Sequence, residues 1–262
     1  MILQDNITPS TISDLKLKAK DQLLGNYQIA TGSFALLFVL FYAVAMIISS
    51  ALAAGTSADM SDKAYVFEIV ETKLLTFVLA AFLSILVTGF TYILRKIADG
   101  QSAGISDLFY VFKNHPDKVI IISFVFTAVQ TILMLPATIA GHTMTLSQNE
   151  PFYHEGRNFL VWILLSIIGI ILYMVFALYF AFAYQVYLDD TDESVTDILK
   201  RSFWMMKGNV LRYFYMHLTF AGYWILVMLS FGIAALWVTP YQTMSAIQFY
   251  YDVRDRNDER GI

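Results

Sequence analysis

Phe159-Leu-Val-Trp-Ile-Leu-Leu-Ser-Ile-Ile-Gly-Ile-Ile-Leu-Tyr-Met-Val-Phe-Ala-Leu-Tyr-Phe-Ala-Phe-Ala-Tyr-Gln-Val-Tyr-Leu188 is a run of thirty residues without one charged side chain. A hydrocarbon layer about 30 Å thick is crossed by about 20 helical residues, so the run is more than long enough for one crossing. It holds no polar break at which the chain turns back. One long helix is therefore expected, its Tyr184 to Leu188 end projecting into the cytoplasm, with two helices as the lesser alternative.

Five further stretches read the same way: 31–54, 74–94, 119–140, 211–229 and 232–250. The last is the weakest, diluted by Pro240, Gln242, Thr243, Ser245 and Gln248. Pro240 removes a helical hydrogen bond that a neighbour must replace. The first resembles a secretory signal, since Ala51-Leu52-Ala53 fits a cleavage pattern and Lys16, Lys18 and Lys20 precede it. Its apolar run is nevertheless as long as a full span, where a signal core has roughly 7 to 15 residues, so a retained helix is expected.

Composition agrees. The chain is 58% hydrophobic and 15% charged, with a mean hydropathy of +0.60. Soluble domains carry about 25% charged residues. The net charge of −4 and the lack of a basic patch with interleaved aromatics give no reason to expect a nucleic-acid partner. Without cysteine, disulfides, thiolate metal sites and thiol nucleophiles are excluded. An all-α, polytopic bundle of six membrane helices, forming one domain over 1–262 and surrounded by membrane lipids, is expected.

Orientation follows from Lys and Arg, which translocated segments avoid. With sides alternating, one side collects fourteen of them, from Lys16 to Arg260, and the other only Lys63, Lys73 and Arg157. Both termini are expected in the cytoplasm. The outer loops, 55–73 and 141–158, are mildly acidic and carry His142 and His154.

A tetrapeptide recurs: Ile12-Ser13-Asp14-Leu15, Ile105-Ser106-Asp107-Leu108 and Val195-Thr196-Asp197-Ile198, each ahead of an odd-numbered span. Gly25-Asn26 and Gly208-Asn209 each follow 11 residues after the aspartate, and Asp117-Lys118 occupies the corresponding place in the middle copy. A threefold repeat of short helix, turn and membrane hairpin is expected. With Thr11, Gly104 and Ser194 three residues earlier, Asp14, Asp107 and Asp197 sit where a side chain reaches back to cap a helix. Structural capping outranks catalysis for them. The short helices, about 11–24, 104–114 and 194–207, have apolar stripes such as Ile12, Leu15, Ala19 and Leu23, and are expected to lie in the cytoplasmic interface.

Ser202-Phe203-Trp204-Met205-Met206-Lys207-Gly208-Asn209, followed by Phe220-Ala221-Gly222-Tyr223-Trp224, Gly232-Ile233, Pro240-Tyr241 and Phe249-Tyr250, resembles the DUF975 family. The likeness is close over 194–250 and looser elsewhere. Leu135-Pro136-Ala137 departs from the Pro-Gly that relatives often show there. The resemblance implies a membrane protein of Gram-positive bacteria, in the cell membrane, and brings no substrate, cofactor or mechanism.

Chemistry is sparse. No metalloprotease, nucleophile-elbow, phosphate-loop or dinucleotide motif occurs, so no catalytic, cofactor or metal site is expected. His217 stands near a span interior, one turn beyond Arg212 and Tyr213, and reads first as a neutral histidine bonding between helices. Thr127, Gln130 and Thr131 form one polar stripe and Gln242, Thr243 and Ser245 another. With Arg212 and His217 they would line a small polar cavity, or they satisfy backbone groups freed by Pro136 and Pro240, the preferred alternative. Trp162, Trp204, Trp224 and Trp237 match interfacial belts. The acidic run Asp189, Asp190, Asp192 and Glu193 reads as a solvated loop, and Asp252 to Arg260 as an exposed helix end or a disordered stub. A non-enzymatic accessory or scaffold protein of the cell envelope, working with a membrane protein partner, is the expectation. A transporter or carrier of a lipid or small molecule is the alternative.

Overall fold

The computed structural model describes residues 9–55, 62–146 and 152–259. No strand occurs among the described residues. The helices run α1 (Ile12–Leu23), α2 (Tyr27–Gly55), α3 (Asp62–Ala98), a 3₁₀ turn (Ile105–Phe109) leading into α4 (Tyr110–Lys113), α5 (Pro116–Leu146), α6 (Phe152–Tyr179), α7 (Ala183–Asp189), α8 (Val195–Met206), α9 (Val210–Leu218), α10 (Ala221–Leu229) and α11 (Ala235–Glu259).

Local chemistry explains the starts. Thr11 Oγ1 accepts the Asp14 amide at 3.2 Å and donates to the Asp14 carboxylate at 2.6 Å. Ser194 does the same for Asp197, at 3.3 and 2.7 Å. Gly104 has no hydroxyl, and there the Asp107 carboxylate accepts the Gly104 amide at 2.9 Å. Helices α1 and α8 also end alike. Gly25 and Gly208 take φ of +87° and +86°, and the amides of Asn26 and Asn209 bond the carbonyls of Leu23 and Met206, both at 2.9 Å. The left-handed backbone is why glycine stands there. The middle segment differs: it turns at Asn114-His115, with His115 at φ +49°, not at Asp117-Lys118. Its tight 3₁₀ start and four-residue helix use up fewer residues before the turn.

Four helical stretches are long and apolar enough to cross a membrane: Tyr27–Ile47, Val70–Ala98, Pro116–Gly141 and Asn158–Asp189. The second is central, with half of its apolar window buried, against 6% for the fourth. The fourth is not one unbroken helix. It tightens at Phe180–Phe182, where the Ala181 amide bonds the Leu178 carbonyl, and resumes as α7, whose Ala183, Val186 and Tyr187 are buried. Burying Phe182 and these neighbours requires a helix face different from the exposed apolar one of α6, which the turn supplies.

The expected fifth and sixth helices are also corrected. The fifth breaks at Thr219-Phe220, where the Thr219 hydroxyl donates to the Met216 carbonyl at 2.7 Å and the Phe220 amide bonds His217, an i to i−3 contact that competes with the regular ladder. After a turn with Phe231 at φ +52° and Gly232 at φ +90°, α11 accommodates Pro240 and continues to Glu259. The charged tail is thus a helix end, one of the two alternatives, but it is not exposed all round: Val253 and Arg256 are buried.

The core lies at the end of the bundle that carries the cations. Phe182, Val186, Ile198, Met206, Phe249 and Tyr250 form one cluster, and Leu23, Phe90, Leu94, Leu108, Met244 and Ile247 another. The stripe Leu15, Ala19 and Leu23 of α1 is buried, and that helix packs on α11 and α3. This part of α1 faces protein, not the lipid expected for an interfacial helix. Contact between α3 and the 3₁₀ turn is close enough that a Cβ on Gly89 would stand 1.9 Å from the Leu108 carbonyl oxygen. Farther along the spans, Phe38, Ile47, Leu74, Ile132, Leu164 and Ile170 are exposed.

Candidate functional site

Asp189, the last residue of α7, is the hub of the core end. One carboxylate oxygen accepts Arg95 of α3, and the other accepts the Tyr250 hydroxyl of α11. Arg254 stands 3.5 Å from the first oxygen and Arg201 of α8 3.7 Å from the second. The carboxylate side chain is only 13% exposed, and Arg95 only 10%. A buried carboxylate needs such donors because desolvation of an unpaired charge is costly. Arg95 also donates to the Gln185 carbonyl at 2.8 Å and lies over the Tyr251 ring at 5.5 Å. The Asp189 side chain thereby joins α3, α7, α8 and α11. In the rest of the acidic run Asp190 and Asp192 are exposed, as a solvated loop would have them, with Asp192 3.1 Å from His115, and Glu193 meets Arg201 at 3.5 Å.

A second cluster centres on Asp252. It accepts Arg212 at 2.7 Å, Arg256 at 3.2 Å and the Ser10 amide at 3.0 Å. Burial pushes this carboxyl upward, but the bonds from Ser10 and Arg212 outweigh it and hold the pKa below the ordinary carboxylate value. Arg256 reaches Asn209 at 3.1 Å, and the Arg212 guanidinium lies over Phe249 at 4.5 Å.

These contacts separate residues that the sequence grouped. Arg212 is engaged by Asp252 and Ser10, while His217 pairs through Nδ1 with Gln242 Nε2 at 2.8 Å. Gln242 also accepts the Trp224 indole N–H at 3.0 Å, so one amide ties α9, α10 and α11. Tyr213 meets the His217 ring edge to face at 4.6 Å. Thr127 donates to its own helix at the Ser123 carbonyl, Gln130 is exposed, and Thr131 and Thr243 are half-buried. Ser245 bonds the Tyr241 carbonyl, so neither Thr127 nor Ser245 serves the carbonyls that Pro136 and Pro240 leave open, at 132 and 236. Asp14, Asp107 and Asp197 lie at the helix starts described above, with Lys96 a further 2.8 Å partner for Asp107. His142, His154, Lys63 and Arg157 fall outside the residues whose side chains are described.

Sequence reasoning missed Asp189, Arg95, Arg201, Tyr250 and Arg254. Its one available signal was the pair Arg95-Lys96 closing an apolar run, which marks a membrane edge but names no partner. Among the described residues, no group of three metal-type side chains converges.

Four helices of membrane-crossing length, apolar sides left uncovered and an ion-paired core at one end point to a helical membrane protein. The chain belongs to the DUF975 family: that family's model, described as a protein of unknown function, matches residues 10–257. No curated protein and no solved structure matches the chain.

Proposed function

We propose that this chain is a multi-pass protein of the bacterial cell membrane, both termini cytoplasmic, that serves as a non-enzymatic accessory or scaffold subunit. The observation behind the role is a division within the molecule. Asp189, Asp252, Arg95, Arg212 and His217 are engaged with one another's neighbours inside the core, whereas the apolar sides of the first, third and fourth spans stay uncovered. Groups so engaged hold a shape, and uncovered apolar helices suit lipid or the helices of a partner. The unequal distribution of Lys and Arg supports the orientation.

The finer architecture we infer is four full crossings plus a hairpin. Gln248 is tied through Gln22 to the Ala98 carbonyl, at the end of α3. From Gln248 back to Ala235 are thirteen helical steps, about 20 Å at 1.5 Å per residue, short of a hydrocarbon layer about 30 Å thick. The tip, Leu229 to Ala234, carries no charge and exposes Phe231 fully. The hairpin formed by α10 and α11 therefore enters from the cytoplasmic side and returns, keeping the termini together. The matched caps and turns of α1 and α8 support a repeat, with the middle copy shortened.

Isolation of the tagged full chain in a lipid-preserving system, with mass spectrometry of what stays bound, tests the role. A reproducible protein partner in near-equal amount supports it. No partner, together with protein-dependent transfer of lipid between vesicle leaflets, would replace it with the carrier reading, which the helix interruptions at Phe180–Phe182 and Thr219-Phe220 favour.

A further inference from the structure

A cleft opens between the last turns of α8 and the end of α11, walled by Arg201, Trp204, Lys207, Arg254, Asn257 and Asp258 and enclosing about 660 Å³. That is within the range of small-molecule sites, about 300 to 1,000 Å³. Three cations face one carboxylate in its wall.

The ion contacts of both arginines are long, with Arg254 also lying over the Tyr251 ring at 4.7 Å. Asp189 gives its short bonds to Arg95 and Tyr250, which leaves Arg254 and Arg201 at 3.5 and 3.7 Å. Their other acidic contacts are long as well: 3.5 Å from Arg201 to Glu193 and 3.3 Å from Arg254 to Asp255. Charge-assisted hydrogen bonds ordinarily measure about 2.7 to 2.9 Å. Each guanidinium has five N–H donors, more than these contacts employ at bonding distance. The two side chains are 40% and 30% exposed.

Lys207 completes the set, its Nζ 4.6 Å from the centre of the Trp204 ring. Trp204 itself is 61% exposed. The neighbouring Phe203 stacks at 5.1 Å on Tyr179, the last residue of α6, so the cleft lies beside the last third of the fourth apolar stretch, which ends at Asp189. Forked cations next to an exposed indole at that level match a ligand that is anionic at one end and apolar at the other.

We propose that this cleft binds a phosphate group, gripped by Arg201, Lys207 and Arg254, with Trp204 beside the rest of the ligand. The phosphate belongs to an anionic lipid headgroup or to a soluble phosphate ester, and the chemistry of the grip is common to both. The site does not depend on whether the protein is a scaffold or a carrier.

The test uses the full chain in nanodiscs of phosphatidylcholine. In one arm phosphatidylglycerol is added and its retention after extraction is read by native mass spectrometry. In the other, glycerol 3-phosphate is titrated by calorimetry. The R201Q/R254Q double variant should weaken binding about tenfold or more, given what a charge-assisted bond contributes. Because that variant also loosens Asp189, Lys207→Gln, which lies outside the hub, serves as the second variant: it should weaken binding several-fold with an unchanged melting temperature. Retention of phosphatidylglycerol alone assigns a lipid headgroup, binding of glycerol 3-phosphate alone assigns a soluble ester, and either upholds the site. No preference over phosphatidylcholine together with no uptake of glycerol 3-phosphate overturns it, as does undiminished binding by both variants.

Discussion

Arg95 at the end of the second span and Asp189 at the end of the fourth form a buried ion pair across 94 residues of chain. Removing the guanidinium leaves a carboxylate with its nearest cation gone. For Arg95→Ala we expect a loss of about 3 kcal/mol, the low end of what breaking a buried pair costs, because Arg201 and Arg254 remain nearby. Thermal unfolding in detergent measures it. A melting temperature equal to wild type would remove Asp189 from the centre of the structure.

The Asp252 cluster carries a pH signature. Its folded pKa lies below the ordinary value of about 3.9. A depressed carboxylate contributes stability that is present above the unfolded pKa and is lost as pH falls through the folded one. The stability gap between wild type and Asp252→Asn should therefore be constant near neutrality and shrink under strong acid. Denaturation series at several pH values decide this, and a gap that widens on acidification contradicts the assignment.

Gly89→Ala places a methyl group against the backbone of the 3₁₀ turn, which no rotamer change relieves. Overpacking of this kind costs about 1 to 3 kcal/mol. Lower yield of folded protein and a reduced melting temperature are expected. A neutral result would mean that α3 and the turn are not in direct contact.

Gln242→Leu removes the partner of both His217 and Trp224. Polar contacts between membrane helices contribute about 0.6 to 1.7 kcal/mol, so a small but measurable loss is expected, with altered fluorescence from Trp224. If Gln242→Leu and His217→Phe prove additive in a double-mutant cycle, the two side chains do not interact.

Topology can be tested with introduced cysteines, since the chain has none of its own. A cysteine at Ser147, in an expected outer loop that lies outside the described residues, should react with an impermeant reagent on intact cells. One at Ser230, in the hairpin tip, should resist labelling from outside. Labelling of position 230 on intact cells would restore two full crossings in place of the hairpin.

Much of the architecture was legible because lipid imposes a simple rule on composition. The runs at 31–54, 74–94 and 119–140 fall within single helices and 159–188 within two, since away from water a continuous apolar run pairs its own backbone N–H and C=O groups by forming a helix. The aspartates at 14, 107 and 197 were legible because a cap is a local event, three residues long. What stayed hidden depends on distance along the chain. The breaks at Thr219 and Phe180 follow from which faces tertiary packing buries, and the hub joins positions 95, 189, 201, 250 and 254, whose proximity no local pattern encodes. Asp189 was mistaken for a solvated residue because acidic runs normally are; here Arg95 and Tyr250 reach it first.

The position of α11 has a consequence for biosynthesis. This helix follows all four stretches that are long and apolar enough to cross a membrane, yet it packs on α1, α2 and α3 and supplies Tyr250, Asp252 and Arg254 to the two ionic clusters. A ribosome would thus complete all four of these long apolar helices before the helix that closes the two ionic clusters is made. Until α11 emerges, Asp189 and Arg212 lack partners that they have in the finished fold, although α2, α3, α5 and α6 can already pack on one another. A nascent chain halted after Gly232 should therefore be membrane-inserted yet protease-sensitive at its cytoplasmic side, and release of the final helix should be the event that makes it resistant.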